Sequence, residues 1–209
     1  MIRDISFYNP TKTYHNTDHI KYLYELLPYA NKKVCFYGDE TGYFFSPFRR
    51  KYKPNICFTN RLFATLFTLI KEDINYLKSL FAGYSEAFDV ALIPHFENTV
   101  YTVNNPYKIA YYTFVLSLYS NNIDDKFSNY NTNDSSLLKE AVSNMTKYSI
   151  SNNEVFWEVT PDNNFIVSYE KDFNGEGILI SKKKHDLNHL KTIDKLNYYY
   201  KQGGKHESR

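Results

Sequence analysis

The sequence predicts an α+β fold, about five helices with two small antiparallel sheets. Three observations predict it. Helical apolar spacing runs on for more than five turns after Asn60, two groups of short apolar runs lie between turn-forming residues, and separate shorter stretches repeat the helical spacing.

Taken in order, TDHIKYLYELL (17–27) sets Ile20, Leu23, Tyr24 and Leu27 on one helical face, with Asn16 or Thr17 as cap and Pro28 as stop. KKVCFYGDETGYFFSP reads as a hairpin of strands 33–37 and 42–46 turning on GDETG, closed by Pro47. From Asn60, the series Leu62, Phe63, Leu66, Phe67, Ile70, Ile74, Leu77, Leu80 and Phe81 makes a long helix that ends at Gly83. DVALIP (89–94) and TVYTV (99–103) read as strands, and 107–119, apolar nearly all round, fits a buried helix or a strand, with its length and the Pro106 start favouring helix. A polar loop over 120–134 precedes a helix over 135–147. VFWEV, NFIVSYE and GILISK then form an antiparallel meander, with Trp157 in the core. Leu187, Leu190, Ile193 and Leu196 give HDLNHLKTIDKLNYYYK a helical period. Residues 1–120 form the main domain, and 121–209 pack on the same core.

Composition narrows the function classes. With 43% apolar and 23% charged residues the chain is globular. Its 21 Tyr and 16 Phe, with abundant Asn and Lys, follow AT-rich codons and a low-GC genome; they also suit broad, half-wet contact surfaces. A net charge of +2 falls short of a dedicated nucleic-acid binder. The cluster FRRKYKP, with Arg49, Arg50, Lys51 and Lys53, and the lysines 182–184 leave room for weak phosphate contact or a subunit contact. Cys35 and Cys57 sit in apolar contexts and read as buried free thiols of a reducing compartment. No apolar run reaches membrane-spanning length and no signal segment is visible, so synthesis and residence in the cytoplasm, or in a virion, are expected.

The stretch built for chemistry is YHNTDHI. His15 and His19 stand four apart, so a helix that begins near Asn16 or earlier would turn both imidazoles to one side, where they could share a metal ion. Pro10, Lys12, Tyr14, His15, Asn16, His19 and Ile20 together resemble the opening helix of the HD-superfamily phosphohydrolases. That resemblance implies that His19 ligates a divalent metal, His15 protonates a leaving oxygen, and Asp39 stands for the Asp of the defining pair. Gly38 occupies the position of that pair's histidine. A second imidazole pair, His185 and His189 in HDLNH, would complete a four-imidazole site if the terminal helices packed together.

One visible fragment of a catalytic set favours a structural or interaction subunit of a larger assembly, such as a connector or collar component of a phage or other virus. Its expected partners are other protein subunits in an oligomer, and it needs no cofactor. The alternative is an HD-like metal-dependent phosphohydrolase of a nucleotide or phosphodiester. A phage-encoded inhibitor of host defence is a third expectation.

Overall fold

Seven strands form one mixed sheet in the order β3-β2-β1-β4-β5-β7-β6. The computed structural model describes residues 17–27, 32–40, 44–49, 51–120, 127, 130–132, 136–158 and 164–203. In chain order the elements are α1 (Thr17–Leu26), β1 (Val34–Tyr37), β2 (Asn55–Phe58), α2 (Arg61–Glu86), α3 (Ile93–Thr99), α4 (Pro106–Tyr119), α5 (Leu137–Asn144), β3 (Val155–Trp157), β4 (Phe165–Tyr169), β5 (Gly177–Ser181), β6 (Asn188–Ile193) and β7 (Leu196–Lys201).

The class is α+β, as the sequence predicts, but the strands are not divided between two small antiparallel sheets. β3, β2, β1, β4 and β5 run parallel, and only β7 opposes its neighbours. Strands from residues 34–58 and 155–201 interleave, so both halves of the chain share one sheet.

The expected 33–46 hairpin does not form. β1 pairs instead with β2 and β4, both parallel to it. The Asp39 carboxylate accepts the amides of Phe44 and Phe45 at 2.8 Å each and winds 44–49 into a turn, not a strand. Residues 89–103 likewise coil into a 3-10 turn and α3, because Asp89 caps Ala91 and Pro94 sits at the helix start. α2 and α4 lie where the spacing places them. α2 carries one break at Asp73 (φ −154°), whose carboxylate caps the second half through Asn75 and Tyr76.

The segment read as a C-terminal helix is the β6–β7 hairpin. A bulge between His189 and Lys191 inserts Leu190, so period two locally becomes three and imitates a helix. β4 and β5 are parallel despite a connection of only residues 170–176. This is close-fitting: a Cβ on Gly177 would lie 1.9 Å from the Ile166 carbonyl oxygen.

Alternation divides the sheet's faces. Val34, Phe36, Ile56, Phe58, Phe165, Val167, Ile178, Ile180 and Tyr198 face the main core, shared with the buried sides of the helices. Phe58 stacks on Phe67 of α2 at 4.6 Å, and Phe81 meets Phe114 of α4 at 5.2 Å. Each such buried ring contributes roughly 2 to 3 kcal/mol. Ile166, Phe173, Leu179 and Tyr199 form a smaller cluster on the opposite face. Trp157 is not in the core: on edge strand β3 it is 47% exposed beneath the Arg61 guanidinium.

Asp194 and Lys195 join β6 to β7 with φ of 45° and 68°, the two-residue turn that matches strand twist but strains side-chain-bearing residues. Lys195→Gly is expected to stabilise the protein by about 1 kcal/mol, seen as a higher midpoint in urea.

Candidate functional site

Strand order reverses between β1 and β4. The chain leaves β1 toward β2 and β3 on one side, then returns to β4 and β5 on the other. Loops diverging from such a point open a crevice beyond the carboxyl ends of the strands, where open parallel sheets bind ligands. Gly38–Glu40 follow β1 here, Thr59 and Asn60 follow β2, Glu158 follows β3, and Glu170 and Lys171 follow β4.

Gly38 makes the turn out of β1 with φ +73°. An added Cβ would lie 2.8 Å from Lys171 Cγ and 2.9 Å from the Tyr169 carbonyl oxygen, so only glycine lets the two loops meet. Glu40 is 7% exposed. Its Oε1 accepts the Thr59 amide and hydroxyl at 2.6 Å each and the Asn60 amide at 3.2 Å, while Asn60 Oδ1 accepts the Leu62 amide at 2.9 Å. At the start of α2 the Asn60 and Leu62 amides therefore already have acceptors. Glu40 Oε2 is buried with no hydrogen-bond partner. Burial pushes the Glu40 carboxyl above its ordinary range, opposed by the Thr59 and Asn60 bonds and by Lys171. Tyr37 is raised too, mainly by burial and further by nearby Cys57, Glu158 and Glu40. Cys35 and Cys57 are buried and outside any disulfide, as expected from their contexts.

The residues singled out in the sequence are dispersed. His15 and Arg50 lie outside the described residues. His19 is 3% exposed on α1; its Nδ1 meets the Tyr198 hydroxyl at 2.5 Å and its Nε2 lies 3.8 Å from Asp194 Oδ2. Burial lowers its pKa, with Asp194 and Asp18 opposing. His185 and His189 are not on a helix. Both rings meet Tyr199 edge-on, at 5.5 and 5.4 Å, and their Nε2 atoms lie within hydrogen-bond reach of Ser181 and Thr192. Tyr198 and Tyr199 point to opposite faces, so His19 is separated by the sheet from His185 and His189, and the four-imidazole arrangement is not assembled. Asp39 serves the 44–49 turn. Among the described residues no group of three or more His, Cys, Asp or Glu side chains could hold a metal ion. Arg49 is drawn into the protein by Ser46, whose carbonyl and hydroxyl accept its Nη1. Lys51 is exposed over Tyr24 and Tyr52, and Lys53 adopts φ 47° before Pro54.

Sequence reasoning missed Glu40, Lys171 and the role of Gly38. The available signal was a short buried strand ending in glycine and two acids, which also fits a hairpin turn. No family model and no curated protein matches this chain. Among the described residues no helix is long and apolar enough to cross a membrane.

A histidine whose folded pKa lies below its unfolded value is harder to protonate in the native state, so its contribution is present above about pH 6.5 and lost on acidification. His19→Gln is expected to cost on the order of 1 to 2 kcal/mol at pH 7.5. It should also flatten the loss of stability between pH 6.5 and 5, measured by urea unfolding across pH.

Proposed function

We propose that this chain binds an adenosine-type nucleoside carrying a cationic group, the S-adenosylmethionine class, in the crevice between the carboxyl ends of β1 and β4. The observation that carries this reading is the strand order. The succession 3-2-1-4-5 is that of the doubly wound nucleotide-binding sheets, with the reversal at β1 and β4. β7 is inserted antiparallel between β5 and β6, which gives the full order 3-2-1-4-5-7-6. Strand order speaks for a nucleoside or nucleotide ligand, and the side chains at the strand ends decide which; a sulfonium nucleoside there makes methyl transfer the reaction class.

The residues present suit such a ligand better than a nucleotide. A buried carboxylate with an unpartnered oxygen accepts hydroxyl donors and attracts positive charge. When bound, the ligand supplies an electrophilic methyl group. Gly38 lets the loops after β1 and β4 close on each other, and Glu40 sets the charge of the pocket floor.

A second reading keeps the chain as an interaction subunit of a larger assembly, including a viral particle. It is favoured by the aromatic side chains left in solvent, Tyr76, Tyr84, Tyr101 and Trp157, of which Tyr101 is 57% exposed. A phosphohydrolase role would need a metal at His19, whose Nδ1 is taken up by Tyr198.

Titration calorimetry with S-adenosylmethionine and S-adenosylhomocysteine separates the first two readings. Nucleoside binding predicts saturable heat with a dissociation constant in the micromolar range; no heat from either compound leaves the interaction reading.

A further inference from the structure

We infer that Glu40 is the specificity-determining group of the crevice: its carboxylate occupies the place at the start of α2 where a ligand phosphate would sit, so the crevice refuses nucleotide phosphates. This rests on the nucleoside reading for its ligand class, but its physical basis is independent.

The amino end of a long helix beside a parallel sheet's carboxyl edge is a natural phosphate site, because its first amides lack intrahelical acceptors and carry partial positive charge. The first part of α2, residues 61–72 up to the break at Asp73, begins directly after β2. The Thr59 and Asn60 amides, with the Thr59 hydroxyl, already converge on one oxygen of Glu40, and Asn60 takes the Leu62 amide. An entering phosphate would find these donors taken and a carboxylate in its way. The second oxygen of Glu40, buried without a partner in the protein, marks the position as built for more than local capping: a carboxylate meant only to cap the helix gains nothing from a buried oxygen that no protein donor meets. The donor missing from that oxygen is one a ligand hydroxyl or cation supplies. Lys171 lies close enough to favour the charged form without donating to it.

The test is thermal unfolding of the wild type and Glu40→Ala in inorganic phosphate, with chloride at matched ionic strength as control. Removing the side chain frees the Thr59 and Asn60 amides and the space in front of them. Phosphate is therefore expected to raise the variant's midpoint by several degrees over the chloride control, and to leave the wild type unmoved. Should Glu40→Ala not fold, Glu40→Gln, which keeps an acceptor and loses the charge, is expected to show a smaller gain of the same sign. An equal gain in wild type and variant, or none in either variant, overturns the inference. Phosphate needs no nucleoside, so a chain that fails to bind S-adenosylmethionine yet gains phosphate stabilisation on losing Glu40 discards the methyl-donor reading and keeps this one.

Discussion

The bond network of the Glu40 carboxylate ties the end of β1 to the start of α2, and the arrangement of the loops beyond the strands' carboxyl ends depends on it. β1 and β2 are only four residues each, too short for their own ladder to fix the loops at their ends. A charged acceptor shared by the Thr59 and Asn60 amides and the Thr59 hydroxyl fixes them instead. It also satisfies donors that a helix start always leaves open, and its charge lies favourably along the axis of a long helix. Asp39, its neighbour, does the same for the 44–49 turn. Two consecutive acids thus organise two separate elements from one loop. Their burial is tolerable because backbone amides replace the lost water, except at Glu40 Oε2.

At the other side of the sheet, α1 meets β7 through His19 and Tyr198. Tyr22 packs edge-on against Tyr198 at 5.1 Å, and Lys191 lies over Tyr22. The outer strand β6 is guarded as exposed edges usually are, by a bulge and by Lys191. These contacts hold the antiparallel hairpin on a parallel sheet and complete the strand order on which the functional reading rests.

Elements governed by local periodicity were legible in the sequence. α2 follows from apolar spacing and α4 from its length and the Pro106 start; the structure adds the caps, Asn60 accepting the Leu62 amide and Asn105 those of Tyr107 and Lys108. Partnership between strands was not legible, because register and direction depend on residues more than a hundred positions away; nothing near Val34 announces Phe165. Local patterns misled where a tertiary constraint overrode them: the bulge at Leu190 copied a helical period, and GDETG resembled a hairpin turn because its acids' true acceptor role lies at Thr59 and Phe44. The histidines drew attention by their spacing. Yet His19 is spent on a buried contact, and the loops beyond β1 and β4 meet through a glycine, a glutamate and a lysine without a recognisable motif.

The most direct measurement is amide hydrogen exchange at Thr59 and Asn60, followed by NMR in the wild type and Glu40→Gln. Both amides are predicted to exchange slowly and to resonate downfield in the wild type, as donors to a carboxylate do, and to lose that signature when the charge is removed. Fast exchange at Thr59 and Asn60 in the wild type, with neither resonance moving on substitution, would contradict the link between β1 and α2 and with it the proposed crevice.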